Sequence, residues 1–361
     1  MNTEKTDITG LSRAKLGEYL STNFQVPAYR SRQMIQWIHR QRVTDFDAMT
    51  DFSKKLREEL KEKCLISRPE KAEVLLSKDG SRKYLFKLTD GMQVESVFIK
   101  QEKRNTLCIS SQVGCAIGCR FCMTGTMGLT RNLTAAEIIG QVLAVQDDVV
   151  ERGDDPERDS FSNIVFMGMG EPLHNVENVF EAARLLNDNL GHNFSSRKVT
   201  ISTSGLVPAI DRFGEENIPA NLAISLNATT DEVREKLIPI NKKWPLETLL
   251  GALRRFPLKA GKRITIEYVL LKDVNDTDAD LKRLPGLLRD IPSKINLIPY
   301  NENTGLGFYP PDRDRIGLWQ ETLLSKGMNA TIRWSKGQDI AAACGQLVTE
   351  SSRKKKLDIV Q

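Results

Sequence analysis

Residues 106–125 read TLCISSQVGCAIGCRFCMTG, an apolar strand-like run that passes directly into a loop carrying Cys115, Cys119 and Cys122. The pattern repeats on its C-terminal side. Six more apolar runs follow: NIVFMGMG (163–170), KVTISTSG (198–205), NLAISLNA (221–228), RITIEYVLL (263–271), KINLIPY (294–300) and ATIRWS (330–335). Amphipathic stretches lie between them, among them TAAEIIGQVLAVQDDVV (134–150), NVENVFEAARLLND (175–188) and ADLKRLPGLLRDI (279–291). The first opens with Thr134 and Glu137, the capping-box spacing of a helix start. Such alternation predicts parallel strands wrapped by helices. The fold class is therefore α/β, and six or seven units fit a partial or full βα barrel of the TIM type. Functional residues are expected at the C-terminal ends of its strands.

N-terminal to this region the periodicity is different. YRSRQMIQWIHRQ (29–41) puts Met34, Ile35, Trp37 and Ile38 along one side with arginines elsewhere, and SKKLREELKEK (53–63) reads as a charged helix. Three short alternating runs follow, AEVLLS, KYLFKL and VESVFI, separated by Asp79-Gly80 and Asp90-Gly91. Asp-Gly is a strong hairpin signal. The expected organisation is a helical N-terminal accessory domain (1–66), a small antiparallel meander as linker region (67–100), the barrel core (101–340) and a C-terminal segment with a basic tail (341–361). No internal repeat or low-complexity segment interrupts it.

Composition narrows the class. Hydrophobic residues make up 40% of the 361 and charged residues 27%, as in an ordinary soluble protein. No stretch approaches the roughly 18 apolar residues of a membrane span, and MNTEKTDITG lacks the apolar core of a signal peptide. A cytoplasmic location is expected, where grouped cysteines point to metal or catalysis rather than disulfides. Lys and Arg number 52 against 47 Asp and Glu. The surplus clusters at Arg30, Arg32, Arg40 and Arg42 with Lys54 and Lys55, and again in the run Arg353-Lys354-Lys355-Lys356. Such clusters suit nucleic-acid phosphates, although solvated helix faces and a frayed tail have the same composition.

The six cysteines are Cys64, Cys108, Cys115, Cys119, Cys122 and Cys344. Thiolates at Cys115-x3-Cys119-x2-Cys122 can converge on one metal centre from a single loop. With three of them a [4Fe–4S] cube keeps one iron without a protein ligand, the open position that chemistry at a cluster needs. A structural zinc site wants a fourth ligand, and the nearest histidines, His174 and His192, lack paired spacing. Phe121, just before Cys122, would shield a cluster from solvent. Read alone, Cys64, Cys108 and Cys344 are small apolar core residues.

The CxxxCxxC loop with an aromatic before its last cysteine resembles the cluster loop of the radical S-adenosylmethionine (SAM) superfamily. The resemblance implies that Cys115, Cys119 and Cys122 hold the cluster and that SAM chelates the free iron, yielding a 5′-deoxyadenosyl radical on reduction. Met167-Gly168-Met169-Gly170-Glu171-Pro172 agrees with it, Glu171 being an acceptor for the methionyl ammonium and Gly170 a close-approach position. Ser202, the Ser225-Leu226-Asn227 segment and Asn301 lie at predicted strand ends and are the other implied SAM contacts. The family often has His where this chain has Asn227.

Over nearly the whole chain the closer resemblance is to the RlmN-type methyltransferases, through YRSRQMIQWIH, FDAMTDFSKKLRE, TLCISSQVGCAIGCRFCMTG and DIAAACGQL. These methylate C2 of an adenine in 23S rRNA and in tRNA. That implies two SAM per turnover, one methylating Cys344 and one supplying the radical that abstracts hydrogen from the S-methyl group. The methylene radical then adds to adenine. Cys108 would release the product with formation of a Cys108–Cys344 disulfide, and Glu95, otherwise the polar face of an alternating strand, would accept the proton. The implied partners are 23S rRNA, tRNA and an electron donor such as flavodoxin or ferredoxin, with the enzyme a monomer and no membrane involved. Two alternatives stay open: a Cfr-type adenine-C8 methyltransferase, which shares the redox residues, and a non-catalytic metal-containing RNA-binding protein.

Overall fold

The computed structural model describes residues 5–102, 104–155, 160–303 and 305–349; the basic run at 353–356 lies outside them. Helices Arg13–Phe24, Arg30–Ile35 and Lys54–Lys63 are the main elements of the N-terminal part. Short strands β1 (Thr6–Asp7) and β2 (Cys64–Leu65) pair in parallel and join its two ends. The amphipathic stretch at 29–41 buries Met34, Ile35 and Ile38 and ends in a π-helical turn, Gln36–Arg40.

The meander strands are β3 (Glu70–Leu76), β4 (Arg82–Lys87) and β5 (Gln93–Ile99). Gly80 and Gly91 have φ of 84° and 82°, so each Asp-Gly supplies the left-handed residue that its turn requires. β5 then pairs antiparallel with β6 (Thr106–Ile109), so the meander continues the barrel sheet. Outside that sheet, β7 (Gln112–Cys115) and β8 (Gly128–Asn132) form a separate hairpin.

Parallel strands follow in chain order: β9 (Asn163–Phe166), β10 (Val199–Thr203), β11 (Asn221–Ser225), β12 (Ile264–Leu270), β13 (Ser293–Pro299) and β14 (Ala330–Ile332). The sheet order is β14-β13-β12-β11-β10-β9-β6-β5-β4-β3. Each apolar run from 106 to 335 is thus one strand beside its sequence neighbour, the arrangement of a partial βα barrel. Helices such as Ala135–Glu151, with the Thr134–Glu137 capping box in place, cover the outer face. The strands are nearly all buried because both faces of a parallel sheet are covered.

The ends of the sheet, β3 and β14, do not pair. The loop after β14 bridges them instead. Asp339 accepts from the Ser77 hydroxyl at 2.6 Å and from the Lys78 N–H at 3.0 Å, Asp79 accepts from the Gly337 N–H at 2.8 Å, and Lys83 reaches the Ala341 carbonyl at 3.3 Å. This loop leads directly to Cys344.

Candidate active site

The hairpin of β7 and β8 brackets the cysteine loop. At Gly114 (φ 77°) an added Cβ would lie 1.9 Å from the Gly128 carbonyl oxygen, so only glycine lets these strands meet. Gly125 does the same inside the loop, where a Cβ would stand 2.7 Å from the Cys119 carbonyl oxygen. Backbone bonds fix the loop on two sides. The Arg120 N–H donates to the Leu237 carbonyl at 3.0 Å, and the Met123 N–H to the Gly345 carbonyl at 2.8 Å. The second bond ties the loop to the C-terminal segment.

Cys115, Cys119 and Cys122 line a cavity at the C-terminal ends of the parallel strands. All three are free thiols. Among the described residues no three His, Cys, Asp or Glu side chains are gathered as around a single ion. Burial is the largest cause pushing all three thiols up, Cys115 to about 12. Held as thiolates they need positive charge, which a bound iron–sulfur cluster supplies. The donor set fits such a cluster: three unpaired thiols on one loop, facing a cavity with room for a further ligand.

The strand-end residues line the same space. Gly170, Glu171, Ser202, Ser225, Asn227 and Asn301 all line the same cavity. Glu171 accepts the Leu173 N–H at 3.1 Å and the Ser204 N–H at 2.8 Å, and donates its own N–H to Gln112 at 2.8 Å. Burial raises its pKa and those donors oppose the rise, leaving a held carboxyl suited to an ammonium. Gly168 and Gly170, which both line the cavity, also let the strands meet. A Cβ on Gly168 would meet the Ser110 hydroxyl at 2.7 Å, and one on Gly170 would meet Gln112 Cβ at 2.6 Å, so these glycines let β9 close on β6 and β7. Leu226 does not line the cavity. Its side chain is fully buried, while its N–H donates to the Glu267 carbonyl at 3.0 Å.

A second cavity adjoins the first. Cys108 lines it, and Cys344 lines both. Cys344 is exposed to this space and Cys108 is buried. Desolvation is the chief cause raising both thiols, and each also feels the Glu267 carboxylate. Asn301 donates to the Cys344 carbonyl at 3.3 Å, and the Thr124 hydroxyl to the Leu347 carbonyl at 2.7 Å. Glu95 lines neither cavity. Its carboxylate pairs with Lys83 at 3.0 Å and accepts the Val348 N–H at 2.8 Å, so it anchors the segment that carries Cys344.

Sequence reasoning passed over Glu267 and Arg333. Glu267 lines both cavities, and Arg333, Trp334 and Lys336 line the second. A carboxylate inside the apolar run RITIEYVLL of a parallel strand is the signal that could have found the first; Arg333 in ATIRWS had none.

Comparison with known proteins agrees with this geometry. The family model described as "Ribosomal RNA large subunit methyltransferase N-terminal domain" matches residues 6–66, and that of the radical SAM superfamily residues 109–284. Members of that superfamily use SAM and a [4Fe–4S] cluster. The dual-specificity RNA methyltransferase RlmN of Geobacter sulfurreducens is 53% identical over 94% of this chain and 91% of its own length. That of Pelobacter propionicus is 49% identical over 96% of each. A crystal structure of a radical SAM methyltransferase from Sphaerobacter thermophilus superposes with a TM-score of 0.86, at 42% identity over 95% of this chain and 99% of that one. No helix among the described residues is long and apolar enough to cross a membrane. The chain belongs to the RlmN family of radical SAM RNA methyltransferases.

Proposed function

We propose that this protein methylates C2 of an adenine in 23S rRNA and of an adenine in tRNA, with Cys344 carrying the methyl group. One observation carries the reading: Cys344 and Cys122 line both of two adjoining cavities, with Cys115 and Cys119 on the first and Cys108 on the second. When bound, the cluster and SAM supply a methyl group and a 5′-deoxyadenosyl radical, with two SAM used per turnover. Glu171 orients the methionyl ammonium, and Ser202, Ser225, Asn227 and Asn301 offer polar groups to the rest of the molecule, while Leu226, whose backbone is bonded to Glu267 and Arg234, holds its two neighbours in place. On the other side the Cys108 thiolate attacks the Cys344 sulfur; the S–S bond forms as the bond from that sulfur to the RNA-bound carbon breaks, and the carbon takes the electron pair and a proton to leave as a methyl group on the base. Thiol exchange needs reach and a good leaving group, and both thiols front one cavity. Glu95 holds the C-terminal segment in register through Lys83 and the Val348 N–H; the proton-acceptor role that the resemblance implies requires its carboxylate to leave those partners.

The second cavity suits a base taken out of its stack. Trp334 is exposed and offers a ring face for stacking, while Arg333 and Lys336 offer charge to the backbone. In this reading the enzyme works as a monomer in the cytoplasm, with flavodoxin or ferredoxin as reductant. The relatives do not favour a C8 methyltransferase or a non-catalytic RNA-binding protein.

The test is mass spectrometry of protein purified anaerobically from a producing strain, with mapping of the RNA product. A methylated Cys344 peptide and 2-methyladenosine are expected. An unmodified Cys344 in active enzyme, or 8-methyladenosine as product, would overturn the reading.

A further inference from the structure

Arg234 lies in the short helix Asp231–Leu237, and its side chain is fully buried. Its guanidinium donates to the Leu226 carbonyl at 3.0 Å, the Ser204 carbonyl at 2.6 Å, the Ser225 carbonyl at 3.2 Å and the Asn241 side-chain oxygen at 3.0 Å. Every acceptor is neutral. Among the described residues no carboxylate forms an ion pair with it. Asp231 makes no bond to it directly: the Asn241 amide lies between them, donating to Asp231 at 2.8 Å, and Asp231 sits at the surface.

A charge taken out of water and met by neutral acceptors alone is costly, and charged side chains are seldom fully buried without a partner. The ionisable group that Arg234 feels most is Cys119 in the cysteine loop. The two elements are joined directly, since the Arg120 N–H donates to the last carbonyl of the Arg234 helix, that of Leu237. Three thiolates on a [4Fe–4S] cube leave a net negative charge, and reduction adds one more.

We propose that Arg234 is the buried counter-cation of the cluster, fastening the strand ends at Ser204, Ser225 and Leu226 and raising the potential at which the cluster accepts its electron. This rests on the reading that Cys115, Cys119 and Cys122 hold the cluster. A fixed positive charge in a low-dielectric surround stabilises the more negative, reduced state over the oxidised one. The electron comes from a one-electron donor outside the chain, and no bond in the protein forms or breaks. The carbonyl clamp and the charge are separable, because Lys keeps the charge but cannot span three carbonyls.

The experiment is a redox titration of the cluster signal by electron paramagnetic resonance in reconstituted full-length enzyme. It compares wild type with Arg234→Gln, Arg234→Lys and Asp231→Asn. Arg234→Gln should lower the reduction equilibrium constant about tenfold, ~59 mV for a one-electron couple. Arg234→Lys should stay near wild type, and Asp231→Asn should shift the other way by less. If the Gln variant loads wild-type iron and sulfide yet keeps the wild-type potential, or if Lys and Gln shift alike, the inference falls while the cluster assignment stands. If the Gln variant does not load, Asp231→Asn decides: an unchanged potential there overturns the proposal. Wild type that binds no iron and sulfide defeats the cluster reading itself.

Discussion

Asn227 adopts φ of 55°, a left-handed conformation in which Asn and His are several-fold enriched. Its side-chain oxygen accepts the Val269 N–H at 2.8 Å, and its carbonyl accepts from Asn275 at 2.7 Å. The departure from the family's usual His is thus an exchange between two residues that tolerate the same backbone. Asn227→Ala should cost roughly 2 kcal/mol, from a strained backbone and a lost bond, and Asn227→His clearly less; denaturant unfolding of the two variants measures the difference. Glu267 offers a second expectation. Its carboxylate, after burial, is the next cause raising the Cys344 thiol. Glu267→Gln should therefore lower that thiol's pKa and speed alkylation of Cys344 by iodoacetamide several-fold at pH 8, read by peptide mass spectrometry. An unchanged rate would show that the carboxylate does not reach the thiol electrostatically.

The π-helical turn Gln36–Arg40 packs against the loop after the helix Val176–Asn187. Gly191 makes this approach possible, since a Cβ there would meet His39 Cβ at 3.0 Å. His39 Nδ1 and His192 Nε2 stand 3.2 Å apart, and the other nitrogen of each ring is buried with no hydrogen-bond partner among the described residues. Burial pushes His39 well below the ordinary histidine value and His192 to about 3. Between about 6.5 and about 3 the unfolded chain therefore binds more protons than the folded one, and stability falls as pH drops through that window. At pH 5 the loss from His192 is roughly 2 kcal/mol. The melting temperature should fall between pH 7 and pH 5, and His192→Gln should flatten that slope. The contact was not legible beforehand, because 153 residues separate the pair and nothing local marks either histidine. Elements written by local chemistry were legible: the two Asp-Gly turns, the Thr134–Glu137 cap and seven apolar runs that each became a strand.

The sheet order was legible too, since strand–helix alternation leaves few topologies. That the meander extends the barrel sheet was not, because the β5–β6 pairing depends on how a short connection folds back rather than on periodicity. The cavity positions of Cys115, Cys119, Cys122, Glu171 and Cys344 followed from motifs, whereas Glu95 reads as catalytic by motif and sits in an ion pair with Lys83. The basic cluster divides as well. Arg32 and Arg40 are exposed, but Arg42 pairs with Asp147 at 2.7 Å and ties the N-terminal helices to the barrel. Replacing Arg32 and Arg40 with Glu should weaken RNA binding and reduce its salt slope by about 2, whereas Arg42→Ala should act on stability. Asp339 governs the seam between β3 and β14. Asp339→Ala removes two bonds there and should cost about 1–2 kcal/mol, speeding hydrogen exchange at 337–348 and lowering methyl transfer while iron and sulfide content stays at wild type. The stretch of chain that spans this seam also bears Cys344, the sulfur proposed to carry the methyl group, so in that reading closing the barrel's edge and setting the sulfur in place are coupled.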